Sequence, residues 1–491
     1  SITMSLPSVL RTNARNEDQT LEISTIVLDP LYNSSSLSRF EIPHKQIMDS
    51  KSSLIFAVEW KQDGNPTAID DVRPFLNRPN GGLAMIKNAR LLINGRLVSN
   101  LQQAGKYLNM RNYFRSQDDR VNVFDVKYQS NNDWFGPTAG EFAMAPIVGK
   151  KVETGGDISL NSSGKQEVSV RLDRLFTILR DTQLPTHLIE GKIQLEIEWE
   201  QDSTQGLTNQ SECITWAGTD LAGHLANMKE VEVSNPRLLI DFLTYNDQVE
   251  MALREQMNSV GLNFAYREVG LVKKFLSGGL ADGQIQTQDF AIGFTNRAIQ
   301  KIFVSKVGTG LTNPLLQTAR SDLFSNEKWN CRVNNLNIYD RIVDNSAESY
   351  NYLTQAGEGT FHLPPQSYTE RYNVGAGNSN MIESTEVLAL DQNNATTSFD
   401  RDNVGVFNCA LQHMGRNHYI GIDLAKYRRG DEEVYNALRV GSTPVLFRFE
   451  RTGSADAALN LQDNGSVNFY FWVEYLKRMT IQRGIVDVSD M

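Results

Sequence analysis

Residues 91–108 read LLINGRLVSNLQQAGKYL, and residues 336–353, lying 245 positions further along the 491-residue chain, read LNIYDRIVDNSAESYNYL. The identical positions in this gap-free window pair Leu91, Ile93, Arg96, Val98, Asn100, Tyr107 and Leu108 with Leu336, Ile338, Arg341, Val343, Asn345, Tyr352 and Leu353. Both copies predict the same order of elements: a strand, a turn, an Arg-aliphatic-Val strand, and an Asn that opens a short helix. A similarity at half the chain length indicates a tandem duplication.

A second match supports the duplication at a slightly different spacing. With a shift of 250 residues, 170–173 falls on 420–423 and 198–200 falls on 448–450. The difference between the two shifts predicts a loop insertion between the matched segments. Chance similarity between strands of like composition is the alternative explanation. The duplication predicts two related β domains with a boundary near residues 225–235.

Most of the chain shows the alternation of apolar and polar residues that is typical of half-buried strands. The clearest predicted strands are 53–60, 192–199, 444–450 and 467–475. Asn94-Gly95 predicts the tight turn of a hairpin, because these residues readily adopt positive φ. Short helices are predicted at 100–114, 247–258 and 345–355, the first and last with Asn as N-cap. Surface loops are predicted at 131–166, 201–225, 276–288, 305–330, 372–402 and 451–466.

These elements predict an all-β protein made of two tandem eight-stranded jelly rolls, with short helices and long loop insertions. Each half holds about eight strands, which suits a jelly roll of two Greek keys. A propeller or solenoid would instead repeat every 20–50 residues or so. The predicted division is an N-terminal arm at 1–20, a first jelly roll at 21–228, a second at 229–480, and a C-terminal tail at 481–491.

The composition constrains the class of protein. The formal net charge is −10, which is the opposite of the basic surface that nucleic-acid-binding proteins usually carry. The cysteines are three, far apart and without a CxxC pair, which argues against a disulfide framework and a cysteine-based zinc site. Neither a signal peptide nor an apolar run of membrane-spanning length is visible. We therefore expect a soluble intracellular protein.

Few residue groups in the chain suggest chemistry. Cys409, His413 and His418 have a C-x3-H-x4-H spacing, and Asp402 or Asp423 could supply the fourth ligand of a metal site. Histidines satisfied by local hydrogen bonds are the alternative, which we favour.

Two carboxylates and a group of aromatic residues are further candidates for a binding or catalytic site. Glu196 and Glu198 share one strand face and resemble a glycosidase pair, although a solvated strand face is the more common arrangement. Phe469, Phe471 and Tyr475 also share a face, which predicts core packing in preference to a sugar-binding platform. We therefore assign no catalytic, cofactor-binding or metal-binding residue.

Modification and terminal segments leave further alternatives open. The N-x-[ST] sequons begin at Asn33, Asn161, Asn209, Asn394 and Asn464, and we expect them to occur by chance. Arg11 and Arg15 lie in an N-terminal segment that is either a frayed end or an arm toward a neighbouring subunit or DNA. The same question applies to Lys477, Arg478 and Arg483 near the C-terminus.

Several of these segments together resemble the capsid proteins of Polinton-like viruses and virophages. The resemblance lies in strand order and residue type, and the segments that carry it are 29–32, 38–43, 54–56, 170–179, 184–188, 192–199 and 467–481. It implies a double jelly roll that forms homotrimers with a pseudo-hexagonal outline.

The same resemblance implies a structural role in a virus particle. Trimers of this kind would tile an icosahedral shell around a double-stranded DNA genome, beside neighbouring capsomers, penton proteins and minor capsid proteins. Nucleic acid would be contacted at most through the terminal arms. The protein would be made inside the host cell, would reside in the virion, and would be neither an enzyme nor cofactor-dependent.

Two other functions remain open from the sequence alone. A tandem jelly-roll carbohydrate-binding protein would need an exposed aromatic platform or an acidic calcium loop. A bicupin-type enzyme would need a histidine-rich metal motif in at least one half. Neither feature stands out in the sequence.

Overall fold

The computed structural model describes residues 20–62, 73–76, 83, 85–112, 114, 145–146, 164–200, 214–217, 228–308, 321–357, 418–425, 436–455 and 464–491. The strands of the first half are β1 Thr20–Leu28, β2 Tyr32–Asn33, β3 Leu37–Ile42, β4 Ile47–Met48, β5 Ser53–Gln62, β6 Arg73–Leu76, β7 Ile86–Ile93, β8 Arg96–Gln102, β9 Ala145–Pro146, β10 Gly164–Arg171, β11 Leu184–Pro185, β12 Ile193–Trp199, β13 Ile214–Ala217 and β14 Met228–Tyr245.

The second half continues the antiparallel pattern. Its strands are β15 Leu262–Leu276, β16 Ile285–Gly293, β17 Ala298–Gly308, β18 Lys328–Val333, β19 Leu336–Asn337, β20 Ile420–Asp423, β21 Leu438–Arg439, β22 Val445–Thr452, β23 Val467–Gln482 and β24 Ile485–Asp490. The α-helices are α1 Ala104–Asn112, α2 Leu172–Leu175, α3 Thr177–Asp181, α4 Asp247–Ser259 and α5 Ser346–Gly357, and Thr186–Leu188 forms a 3-10 turn.

Each half folds into two principal sheets. In the first half, one sheet has the order β10-β5-β14-β4-β11 with β1 also paired to β14, and the other has the order β2-β3-β12-β7-β8. A small sheet, β13-β6-β9, accompanies them. In the second half, β15-β23-β17-β20 carries β21 and β24 at its sides, and β16-β22-β18-β19 forms the second sheet. The non-consecutive neighbours in every principal sheet are typical of Greek-key connections.

Apolar side chains from the two sheets of each half form its core. In the first half, Phe40, Leu54 and Trp199 are buried together, whereas Phe447 and Phe471 belong to a separate cluster in the second half. Alternation along the strands produces these cores, because successive side chains point to opposite faces of a sheet. The chain is therefore a pair of β-sandwiches.

Strand β23 is buried on both of its faces. Phe469, Phe471 and Tyr475 point into the second core, as the sequence predicted, whereas Tyr470 and Trp472 pack with the residues of the first core. One sheet of the second sandwich thus lies against the first sandwich, and its strands are covered on both sides.

The predicted hairpin and helices are largely confirmed. Asn94 and Gly95 have φ of 51° and 77° and form the turn between β7 and β8. Asn345 accepts a hydrogen bond of 2.8 Å from the Ala347 backbone N–H at the start of α5. The prediction of Asn100 as an N-cap was wrong, because Asn100 belongs to β8 and pairs with Arg90.

The register of the sequence repeat was also wrong in the hairpins. The second hairpin turns at Asn334 and Asn335, directly after β18, and not at the positions that a 245-residue shift assigns to it. Parts of the predicted loops 276–288 and 305–330 are strands β16, β17 and β18. The 245-residue shift matches apolar residues of the two hairpins but not their turns, because the two turns lie at different distances from the helix that follows.

The segment around 228 does not separate the sandwiches. Strand β14 begins at Met228 and pairs with β5 and β1 of the first sandwich along its length. We therefore propose that the division lies at α4, between β14 and β15, in place of the boundary at 228/229.

The predicted C-terminal tail at 481–491 is instead part of a hairpin. Ile481 lies within β23, and β24 pairs with β23 from Lys477 to Gln482. The carbonyl of Gly484 in its turn accepts a hydrogen bond of 2.8 Å from the backbone N–H of Glu190. The C-terminal hairpin is therefore fastened to the first sandwich.

Candidate functional site

The surface between the two sandwiches holds the most developed polar network in the part of the chain that the structure describes. Tyr266 on β15 donates a hydrogen bond of 2.6 Å to the carbonyl of Val98 on β8. The next residue of β15 also reaches across: Arg267 forms a bidentate pair with Asp181 of α3, with Nη2 and Oδ1 separated by 2.8 Å. These contacts fix the second sandwich against the first in one orientation.

Two buried glutamates at this junction have pKa values that are shifted in opposite directions. The Glu474 carboxylate accepts a hydrogen bond of 2.6 Å from the Tyr107 hydroxyl. Burial alone would raise the pKa of Glu474, but Arg111, Lys301 and Arg180 outweigh it and lower the pKa to about 2. Glu474 is therefore ionised.

The second glutamate is Glu268, for which Lys477 is the one cation among the groups that shift its pKa. Burial raises its pKa, and the nearby Lys477 offsets this only in part. Its Oε1 accepts a hydrogen bond of 3.1 Å from the Asn100 backbone N–H, whereas its Oε2 is buried without a hydrogen-bond partner. The junction thus contains one carboxylate held as an anion and one carboxyl group whose pKa is raised by burial.

The candidate glycosidase pair is neutralised by cross-strand cations. Glu196 lies 2.7 Å from Arg39, and Glu198 lies 3.0 Å from Arg90. Burial opposes ionisation of Glu198, but hydrogen bonds from Asn88 and Lys87 lower its pKa. Both carboxylates share one strand face, as predicted, and their oxygens are engaged by β3 and β7. They do not face each other across a cleft as a catalytic pair does.

The residues of the candidate metal site are not brought together in what the structure describes. Cys409, His413 and Asp402 lie outside the described residues. His418 is buried beside Lys306, and Asp423 accepts a hydrogen bond from the Ala425 backbone N–H. Within the described ranges, no group of three or more His, Cys, Asp or Glu side chains is arranged to hold a metal ion.

The remaining sequence candidates have varied positions. Asn33 accepts a hydrogen bond from the Ser38 hydroxyl, and Asn464 bonds to the backbone of Ser454. Lys477, Arg478 and Arg483 lie in the β23–β24 hairpin. Asn161, Asn209, Asn394, Arg11 and Arg15 lie outside the described residues. No described helix has the length and apolarity needed to cross a membrane.

An apolar surface lies along the edge of the first sandwich. Strand β1 pairs only with β14 among the described residues, and it exposes Ile23 and Val27 on the face opposite to the core. Leu31 and Tyr32 are exposed directly after it. We call Ile23, Val27, Leu31 and Tyr32 the β1 edge patch. Exposed apolar side chains that lie this close together in the chain are candidates for a surface that another protein covers.

Comparisons with known proteins give no match at the level of sequence: no protein-family model and no curated protein matches the chain. Solved structures do match. The chain aligns over 100% of its length with 93% of a chain of the Sputnik virophage, at a TM-score of 0.54 and 11% identity. It aligns over 100% of its length with 96% of the mavirus major capsid protein, at a TM-score of 0.50 and 11% identity.

A third match comes from a different virus. The chain aligns over 96% of its length with 94% of the Faustovirus major capsid protein, at a TM-score of 0.51 and 8% identity. In each comparison the alignment covers at least 96% of this chain, and therefore both sandwiches. The chain therefore has the double jelly-roll fold that these viral proteins share.

Proposed function

We propose that the chain is a major capsid protein that assembles into trimeric, pseudo-hexagonal capsomers. The observation that carries this proposal is the likeness, over almost the whole of both chains, to structures of viral capsid proteins. The buried junction between the sandwiches adds a physical argument. Two similar sandwiches fixed side by side, repeated three times about an axis, give six similar edges that can pack laterally with neighbours.

The proposal extends to the particle in which such capsomers would reside. We infer an icosahedral shell around a double-stranded DNA genome, built with neighbouring capsomers, penton proteins and minor capsid proteins. The protein would be made inside the host cell and located in the virion. A net charge of −10 suits a shell protein that must remain soluble at high concentration and avoid indiscriminate binding of nucleic acid. Contact with DNA would be limited to a terminal arm.

A second copy of this chain is the proposed occupant of the β1 edge patch. Ile23 and Val27 face Leu243 and Leu239 across the β1–β14 pairing, and these two leucines are themselves only half-buried. The patch is therefore broader than its exposed members alone. Covering it in a trimer would remove apolar surface from water and would shield the backbone of an edge strand.

The alternative functions have weaker structural support. The aromatic residues considered for a sugar platform, Phe469, Phe471 and Tyr475, are buried in the second core. The carboxylates considered for glycoside hydrolysis are paired with arginines. We therefore favour a structural role over a carbohydrate-binding or bicupin-type activity.

The solution mass of the purified chain tests the proposal. We expect light scattering to give a discrete species of three times the 55.2 kDa chain mass, with a hexagonal outline in negative-stain images. A chain that stays monomeric at high concentration would contradict the trimer. In that case glycan and metal binding would be measured on the same sample.

A further inference from the structure

The second sandwich encloses a charged cluster that the proposed assembly does not use. Lys306 on β17 is completely buried, and its Nζ contacts Oε1 of Glu327, the residue before β18. The same Nζ lies 3.0 Å from Nδ1 of His418, and that nitrogen lies 3.4 Å from Glu327 Oε1. An amine, an imidazole and a carboxyl group are thus in mutual contact out of reach of bulk water.

The fold does not require polar side chains at this place. The strand pair β17–β20 corresponds to β5–β10 of the first sandwich, with Val304 equivalent to Leu54 through the matched segments 170–173 and 420–423. Two residues further along, Lys306 takes the position of Phe56, an ordinary core residue. A buried ion pair is weak evidence for stability, because desolvation of the two charges offsets their attraction. The cluster therefore calls for another explanation.

The surroundings shift the pKa values of both the amine and the imidazole toward their neutral forms. Burial lowers the pKa of Lys306, although the adjacent Glu327 and then the buried Asp322 oppose the shift. Burial, and secondly the neighbouring Lys306, lower the pKa of His418 well below its ordinary value. A neutral His418 protonated on Nε2 leaves Nδ1 able to accept a proton from the amine. A neutral lysine amine is a nucleophile, whereas an ammonium group is not.

The two carboxyl oxygens of Glu327 have different partners. Its Oε2 accepts a hydrogen bond of 3.1 Å from the Phe324 backbone N–H, while its Oε1 faces the amine and the imidazole. A backbone N–H at a carboxyl oxygen stabilises the negative charge that develops there when a nucleophile adds to the carbon. Contact between fixed reactants also replaces an encounter in solution, which is a large advantage for a slow reaction.

We propose that Lys306 and Glu327 condense to an intramolecular isopeptide bond, with His418 as the proton carrier. The amine of Lys306 adds to Cδ of protonated Glu327, and the new ammonium nitrogen gives one proton to His418 Nδ1. His418 passes this proton to the Oε1 hydroxyl, which leaves as water while the carbonyl re-forms at Oε2. One C–N bond forms, one C–O bond breaks, one water is released, and nothing is oxidised or reduced.

The bond has a structural consequence for the second sandwich. Lys306 belongs to the sheet that contains β17 and β23, whereas Glu327 leads into β18 of the opposite sheet. The bond therefore joins the two sheets covalently and closes the 21-residue separation between its ends. Like a disulfide, such a link restricts the unfolded chain, but it is insensitive to reduction.

The mass of the full-length wild-type chain tests the proposal directly, because this measurement does not depend on whether a variant folds. After incubation of the folded protein and denaturation, we expect a mass one water below that of the sequence. Proteolysis should yield a branched product in which the peptide containing Lys306 is joined to the peptide containing Glu327. An unchanged mass, or a loss of water that maps to other residues, would overturn the proposal.

Controls within the same sandwich separate this reaction from ordinary ion pairing. Lys328 and Glu450 form an ion pair of 3.2 Å that is partly exposed, so their peptides should remain separate. The Lys306→Met chain should have the full mass of its own sequence. In His418→Ala, with its fold verified by circular dichroism, the fraction that has lost water should be reduced, and an undiminished fraction would remove His418 from the mechanism.

Discussion

Tyr107 of the first sandwich donates a hydrogen bond of 2.6 Å to Glu474 of the second, and both side chains are buried. The phenol is itself affected, since burial and then the Glu474 charge raise the pKa of Tyr107. The hydroxyl is therefore a permanent donor, and the carboxylate a permanent acceptor, at physiological pH. This contact joins residues that lie 367 positions apart in the chain.

Replacing Tyr107 with Phe should destabilise the protein by about 1–3 kcal/mol, because Glu474 loses a hydrogen bond that water cannot replace in a buried site. The free energy of unfolding from urea titration is the measurement. Tyr352→Phe is a matched control, because Tyr352 donates to Glu348 at 2.9 Å on the partly exposed surface of α5. Equal losses of unfolding free energy in the two variants would contradict the larger contribution expected from the buried hydrogen bond.

Acid should weaken the protein through Glu474. Folding lowers its pKa from 4.5 to about 2, so the carboxylate contributes stability that is complete above the unfolded value. That contribution is lost as the pH falls from about 4.5 through about 2. We expect the stability difference between wild type and Glu474→Gln to be constant near neutral pH and to shrink across this acid window. A difference that is independent of pH would show that Glu474 is not ionised in the folded state.

Glu268 should have the opposite dependence. Burial raises its folded pKa above the ordinary value of 4.5, so its contribution is complete below that value and is lost as the pH rises through the folded pKa. Glu268→Gln removes this titration while keeping a hydrogen-bond acceptor for the Asn100 backbone N–H. The variant should therefore gain stability relative to wild type as the pH rises. Parallel stability curves for the two proteins would refute this.

Two turn glycines allow backbone conformation to be separated from packing. Gly95 and Gly484 have φ of 77° and 81°, where an alanine is strained by about 1 kcal/mol. A Cβ on Gly95 would meet nothing within 4 Å, whereas a Cβ on Gly484 would lie 2.5 Å from Cγ of Glu190. Gly484→Ala should therefore destabilise the protein more than Gly95→Ala in thermal unfolding. The reverse order would argue against the packing of the C-terminal hairpin on the first sandwich.

Charges in the β1 edge patch should reduce trimer formation. Ile23 and Val27 are 66% and 55% exposed, so the double change Ile23→Asp and Val27→Asp should leave the folded monomer intact while placing charges in the proposed contact. Met251→Asp on α4 is the control, since Met251 is 70% exposed and lies elsewhere. Light scattering should show a smaller trimer fraction for the double variant alone. Trimers of undiminished abundance would place the contact on another surface.

Local patterns in the sequence were sufficient to predict most elements of the fold. The alternation in 53–60, 192–199, 444–450 and 467–475 predicted strands β5, β12, β22 and β23, all of which the structure confirms. Asn94-Gly95 predicted the turn between β7 and β8, because the φ preference of these residues is independent of distant neighbours. The jelly-roll class was predictable for a related reason, since it followed from the number of strands and the length of each half.

The sequence by itself determined most of the strands and the Asn94-Gly95 turn, because these follow from the local preferences of a few neighbouring residues. It also indicated the double jelly-roll class through the number of strands and the length of each half. Only the tertiary structure decided which surfaces meet. Nothing near β14 indicates that it completes the first sandwich, and the aromatic residues Tyr470 and Trp472 do not identify which surface covers the second face of β23. Likewise Lys306, Glu327 and His418 form a cluster only because β17, β18 and β20 come together. Contacts between distant segments depend on the packing of whole sheets, and the residue pattern of one strand does not identify the strand or surface that it contacts.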